Sequence, residues 1–93
     1  MNKQVAQALI DSWIEELRKR SYGDLVLLMG DPQTREVTGS DGKAYQLEAQ
    51  VFWDGNKGGN LRVMVSGDDG GWRAFILLTS DFIMAPDNSF VGE

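Results

Sequence analysis

From Tyr45 to Trp53 the chain alternates without a break: Tyr45, Leu47, Ala49, Val51 and Trp53 on odd positions, Gln46, Glu48, Gln50 and Phe52 between them. Successive side chains of a strand point to opposite faces, so this period of two predicts a strand with one buried face. The turn-rich stretches around it predict its neighbours. Gly39-Ser40-Asp41-Gly42 separates Arg35–Thr38 from Lys43–Trp53, and Asp-Gly between strand-like runs signals a hairpin because both residues tolerate positive φ. Gly55 to Asn60 leads to a run over Leu61–Ser66. Gly67-Asp68-Asp69-Gly70-Gly71 then leads to a run over Trp72–Leu78, which is apolar on both sides towards its end and so reads as a central strand.

Ahead of these runs the period is that of a helix. Asn2 is a suitable N-cap, and Val5, Ala6, Leu9, Ile10, Trp13, Ile14 and Leu17 recur at spacings of three and four. Gly23 is a suitable C′ residue, so the helix is expected over Lys3–Tyr22. Leu25–Met29, between two Gly-Asp pairs, fits a short buried strand or one more helical turn; the strand is the favoured reading. Gly30-Asp31-Pro32 reads as a turn, and Pro86-Asp87-Asn88 as another that folds Ser89-Phe90-Val91 back towards Phe82-Ile83-Met84.

One helix followed by a meander predicts a two-layer α+β fold. The N-terminal helix packs on a four- or five-stranded, mainly antiparallel sheet, its Leu9/Trp13/Leu17 stripe against the Leu47/Val51 and Val63/Val65 rows. The 93 residues make a single domain. Such a chain buries roughly 60–65% of its unfolded surface, so nearly every large apolar side chain is needed for the core.

The chain has no His and no Cys. That excludes Ser–His–Asp and Cys–His catalysis, thiolate or imidazole ligation of zinc, and any disulfide framework. A net charge of −5, with Arg18-Lys19-Arg20 as the one basic cluster, argues against nucleic acid, since those residues complement the negative end of the helix. The N-terminus lacks the apolar core of a signal peptide, and Leu25–Met29 is far shorter than the ~20 residues of a membrane helix. A soluble cytoplasmic protein without membrane association is the expectation.

The remaining candidates are carboxylates, arginines and aromatics. Asp54, Asp68, Asp69, Asp81 and Asp87 offer oxygen ligands or an acid–base pair, and a meander places the first three at related ends of the sheet. Turn chemistry accounts for most of them, because Asp bonds its own backbone there, and no calcium-loop spacing is present. Asp54, Asp68 and Asp69 are therefore weak metal candidates, and no cofactor is expected. Gly55–Gly59 with Lys57 lacks the spacing of a phosphate loop.

Trp53 and Trp72 fall near strand ends, where Trp either closes the core or anchors a partner. Arg62 and Arg73 are expected as cross-strand neighbours on the face away from the helix. Phe52, Met64, Phe75 and Leu77 share that face by parity, more apolar area than a monomer leaves bare. Either Phe82, Ile83, Met84 and Phe90 cover it or another chain does. Cover by the C-terminal segment enlarges the only core, so a monomer is expected ahead of a homodimer. Trp53, Trp72, Arg62, Arg73 and Phe75 are the candidate binding residues.

Val51-Phe52-Trp53-Asp54, Asn60-Leu61-Arg62-Val63, Asp68-Asp69-Gly70-Gly71-Trp72-Arg73-Ala74-Phe75, Ala85-Pro86-Asp87 and Ser89-Phe90-Val91 together resemble a family of small bacterial domains of unassigned activity. The resemblance covers the second half of the chain. It implies a bacterial origin and carries no site residues with it. In outline the helix-then-meander order is also similar to cystatin-like and nuclear-transport-factor-like domains.

The expected function is that of a non-catalytic domain that binds another protein. A stoichiometric, immunity-type inhibitor of a basic protein suits its charge and size. The competing expectation is a small-molecule site or carboxylate-based enzyme, in a pocket between helix and sheet lined by Trp13, Tyr45, Trp53 and Trp72.

Overall fold

The computed structural model describes residues 2–68 and 78–93 of the chain. It is an α+β fold: helix α1 (Lys3–Arg18), a short helix α2 (Tyr22–Val26), and strands β1 (Gln33–Thr38), β2 (Ala44–Trp53), β3 (Leu61–Asp68) and β4 (Leu78–Met84). The strands form one antiparallel sheet in the order β1-β2-β3-β4. Among the described residues no helix is long and apolar enough to cross a membrane.

Asn2 caps α1 as expected, its side-chain oxygen accepting from the amides of Gln4 and Val5 at 3.1 and 3.2 Å. The helix ends at Arg18, four residues before the Tyr22 that Gly23 as C′ residue predicts. Ser21 is the cause. Its hydroxyl accepts from the Asp24 amide at 3.1 Å and starts α2, so the backbone turns there and Gly23 lies inside the second helix. The Ser-x-x-Asp spacing was the signal for that start.

The strand expected over Leu25–Met29 is not formed. Leu25 and Val26 close α2; Leu25 is fully buried while Leu27 is 79% exposed, and Met29 makes a single parallel bridge to Val51. A helical turn buries one side of such an apolar run and leaves the other in water, which a two-sided buried strand cannot do.

The β1–β2 hairpin turns where Asp41-Gly42 predicts, with Gly42 at φ +79°. Gly39 donates its N–H to Lys43 at 2.8 Å. On the α1 side, Ala6, Ile10, Trp13, Ile14 and Leu17 meet Tyr45, Leu47, Ala49 and Val51 of β2, Leu61, Val63 and Val65 of β3, and Phe82 and Met84 of β4. Trp13 and Leu17 of the expected stripe meet the expected rows, while Leu9 is only partly buried and Ala6, Ile10 and Ile14 are buried beside them.

The fourth strand is a correction. The partner of β3 is Leu78–Met84, pairing from Gly67↔Leu78 to Leu61↔Met84. Of the strand expected over Trp72–Leu78, Leu78 is the first residue of β4 and residues 72–77 lie outside the described residues. Phe82 and Met84, expected in a segment that covers the second face, instead point into the core. Phe90 does fold back, bridging Met84 and meeting the Phe82 ring edge-on at 5.7 Å. Two large side chains from β4 complete the apolar bed under α1, which this small core requires. Phe90 is held on its other side by Arg18, whose guanidinium lies 4.0 Å from its ring centre while donating to Glu93 at 2.7 Å.

Candidate functional site

The face of the sheet turned away from α1 is built by register. Arg62 on β3 stands between Phe52 on β2 and Ile83 on β4, and the next row is Gln50, Met64 and Asp81. Directly opposed side chains lie about 4.5–5.5 Å apart at Cβ, so Phe52, Ile83 and Met64 surround the arginine stem. Phe52 is 37% exposed, and Met64 and Ile83 are partly exposed. The buried residues of α1 and α2 pack against the opposite side of the sheet.

Two carboxylates hold Arg62 in place. Asp54 Oδ1 accepts from Nε and Nη2 at 3.2 and 3.1 Å, and Asp81 Oδ2 accepts from Nη1. Asp54 and then Asp81 raise the arginine's pKa further above its ordinary value, so it stays charged. The second oxygen of each carboxylate accepts no hydrogen bond among the described residues. The cluster therefore keeps a net negative charge. The same face carries Glu36, Glu48 and Asp68, with the Gln46 and Gln50 amides donating to Glu36 and Glu48 at 2.7 Å.

The candidate residues divide accordingly. Arg62 is on this face and at its centre. Trp53 is on the other side, half-buried against the core, so it does not join Arg62 in one site. Trp72, Arg73, Phe75, Leu77 and Asp69 lie outside the described residues. Both cross-strand positions beside Arg62 are filled by Phe52 and Ile83, which replaces the expected Arg62–Arg73 pairing. Asp54 and Asp68 are at opposite ends of β3, not at related ends: Asp54 follows β2 at the β2–β3 loop, and Asp68 closes β3 seven residues beyond Leu61, about 23 Å away.

Among the described residues no group of three or more His, Cys, Asp or Glu is placed to hold a metal ion. Asp87 is turn chemistry: it accepts from the Ser89 hydroxyl and amide, which lower its pKa. Asp81 joins this face through β4, and Ile83, expected in a segment that covers the face, is instead part of it. Their signal was the alternation Leu78, Ser80, Phe82, Met84 against Thr79, Asp81, Ile83, interrupted on the core side only by Ser80.

Trp13 and Tyr45, expected to line a pocket between helix and sheet, are 4% and 0% exposed within the packed core. A shallow cleft of about 130 Å³ does open at the β1 edge, lined by Trp13, Leu17, Leu28, Arg20, Gln33, Thr34 and Arg35. Its floor is already occupied. The Arg35 guanidinium stacks 4.2 Å from the Trp13 ring centre and donates to both carboxylate oxygens of Glu16 at 3.0 and 3.3 Å, lowering the Glu16 pKa.

No protein-family model, curated protein sequence or solved structure matches this chain.

Proposed function

We propose that this domain works by binding another protein through the outer face of its sheet. The observation that carries the reading is the Phe52–Arg62–Ile83 row with Met64: apolar side chains left partly in water, stiffened by two carboxylates on one guanidinium. An apolar centre within a polar, charged rim is the composition of protein interfaces, and an arginine whose fork is fixed loses little freedom on contact. The space under α1 is filled by packed side chains, and the competing pocket reading has the β1-edge cleft in its support. An acidic inhibitor of a basic protein is one role that this face suits.

The test is affinity capture from a lysate of the source organism with three baits: the native chain, Phe52→Asp/Ile83→Asp, and Leu27→Asp as a control for an exposed apolar residue elsewhere. A protein retained by the first and third and lost from the second supports the reading. Identical capture by all three, or turnover of a small molecule in substrate screens with no captured protein, refutes it.

A further inference from the structure

We propose that the occupant of this sheet face is a basic segment of another protein, which lays an apolar side chain on Phe52, Met64 and Ile83 and directs a guanidinium or ammonium to the outer oxygens of Asp54 and Asp81. The inference rests on the protein-binding reading above and names the chemistry of the partner. The charges of the face decide it. Glu36, Glu48 and Asp81 on the strands, with Asp54 directly after β2, share that side with Arg62 as the one cation among its described strand residues, so carboxylates outnumber cations around Phe52, Met64 and Ile83.

A second copy of this chain is the poorer occupant. Stacking two such faces brings like charges together across an interface, a juxtaposition that costs several kcal/mol. An acidic or neutral partner would bury Asp54 and Asp81 with their outer oxygens unpaired, and unpaired buried carboxylates are costly. A basic partner removes both penalties. It also gains from the geometry: the apolar row runs across the strands and the carboxylates flank it, so alternate residues of an extended chain meet apolar and acidic positions in turn.

The arrangement predicts how the contact responds to solution conditions. Charges at the face steer the encounter and are screened by salt, whereas the apolar row is not. Removing the carboxylates should abolish most of the salt dependence. Removing Phe52 should weaken binding and leave the salt dependence in place.

The probe is the capped peptide Arg-Ser-Leu-Ser-Arg, whose alternate residues present arginine, leucine and arginine to one side of an extended chain, titrated into the ¹⁵N-labelled native chain. The controls are the same peptide with citrulline, a neutral isostere, or with glutamate in place of arginine. Expected are shifts centred on the amides of Phe52, Arg62, Met64, Asp81 and Ile83 with the arginine peptide, and none with the glutamate peptide. Asp54→Asn and Asp81→Asn should each weaken binding about two- to fivefold, the range of a partly exposed ion pair. Asp11→Asn, on the helix surface, should not. If the Asp54 or Asp81 variants lose their native spectrum, Glu48→Gln and Phe52→Ser replace them, with weaker binding expected from both. Equal affinity for the citrulline peptide, or shifts spread over α1, overturns the proposal. So does an affinity that none of these face variants changes. A protein captured through Phe52 and Ile83 but indifferent to Asp54→Asn/Asp81→Asn overturns the basic occupant and leaves the protein-binding reading standing; no capture and no peptide binding overturns both.

Discussion

Gly67→Ala tests the contact between the helix and the sheet most directly, because its sign is open until the packing is considered. Gly67 lies on the core face of β3, and a Cβ built there falls 2.6 Å from Leu47 Cδ2 and 3.2 Å from Ile10 Cδ1. Carbon atoms in comfortable contact are about 3.5–4.0 Å apart, so the new methyl overlaps Leu47 by about 1 Å. Leu47 and Ile10 are both buried and cannot swing out to water. Overpacking of this kind costs about 1–3 kcal/mol. Against it, replacing a strand glycine by alanine removes unfolded-state entropy worth roughly 0.5–1 kcal/mol.

The net expectation is a loss of about 1 kcal/mol, read as a fall in Tm of about 4–8 °C for a domain of this size. Gly23→Ala is the matched control. Its Cβ meets nothing nearer than Ser21 Oγ at 4.0 Å, so it should raise stability by about 0.5–1 kcal/mol. Urea denaturation of both variants, and of Gly67→Ala with Leu47→Val, supplies the remaining evidence: shortening Leu47 should make the alanine less costly than it is alone. A Gly67→Ala protein as stable as the native one, or a cost unchanged by Leu47→Val, would refute the reasoning.

Further expectations follow from the polar contacts. The buried Tyr45 hydroxyl donates to Asp41 Oδ2 at 2.6 Å, and that bond, more than the Lys43 amide, holds the Asp41 carboxyl below its ordinary pKa. A lowered folded pKa stabilises above the unfolded pKa and is lost as pH falls through the folded value. Tyr45→Phe should therefore lower the urea midpoint at neutral pH, with the gap closing in acid; a gap that persists there removes Asp41 from the explanation. Arg18→Ala should release the end of the chain, since Arg18 joins Phe90 and Glu93 to α1, and hydrogen exchange at Val91, whose amide donates to Ile83 at 2.9 Å, should become faster. Leu27→Ser, at a side chain 79% exposed, should shift stability by less than about 0.5 kcal/mol in urea.

The elements that repeat over many residues could be read directly. The alternation from Tyr45 to Trp53 named β2, its buried side and, with Asp41-Gly42, the hairpin before it. The stripe from Ala6 to Leu17 named the face of α1. Each is a local pattern in which every added residue repeats the same vote, so periodicity is robust over such lengths. Where two local signals competed, the reading failed. Ser21 starts a new helix just where Gly23 reads as the end of the first, and the five apolar residues at Leu25–Met29 fit a turn of helix as well as the favoured strand.

The candidate site was half readable. Parity alone put Phe52 and Met64 on the side away from the helix and Trp53 on the side facing it, because side-chain direction along a strand is a local property. Which residues stand opposite Arg62 is not local. It depends on the register in which β4 meets β3, and a slip of that register exchanges every cross-strand neighbour at no cost to any local propensity. The register is selected by Phe82 and Met84 filling the core beneath α1, by Phe90 closing behind them, and by Arg18 holding Phe90. Those contacts join residues separated by most of the chain. The triad of Asp54, Arg62 and Asp81 exists only once that packing has chosen the register, so the apolar row and its carboxylate rim belong to the folded chain.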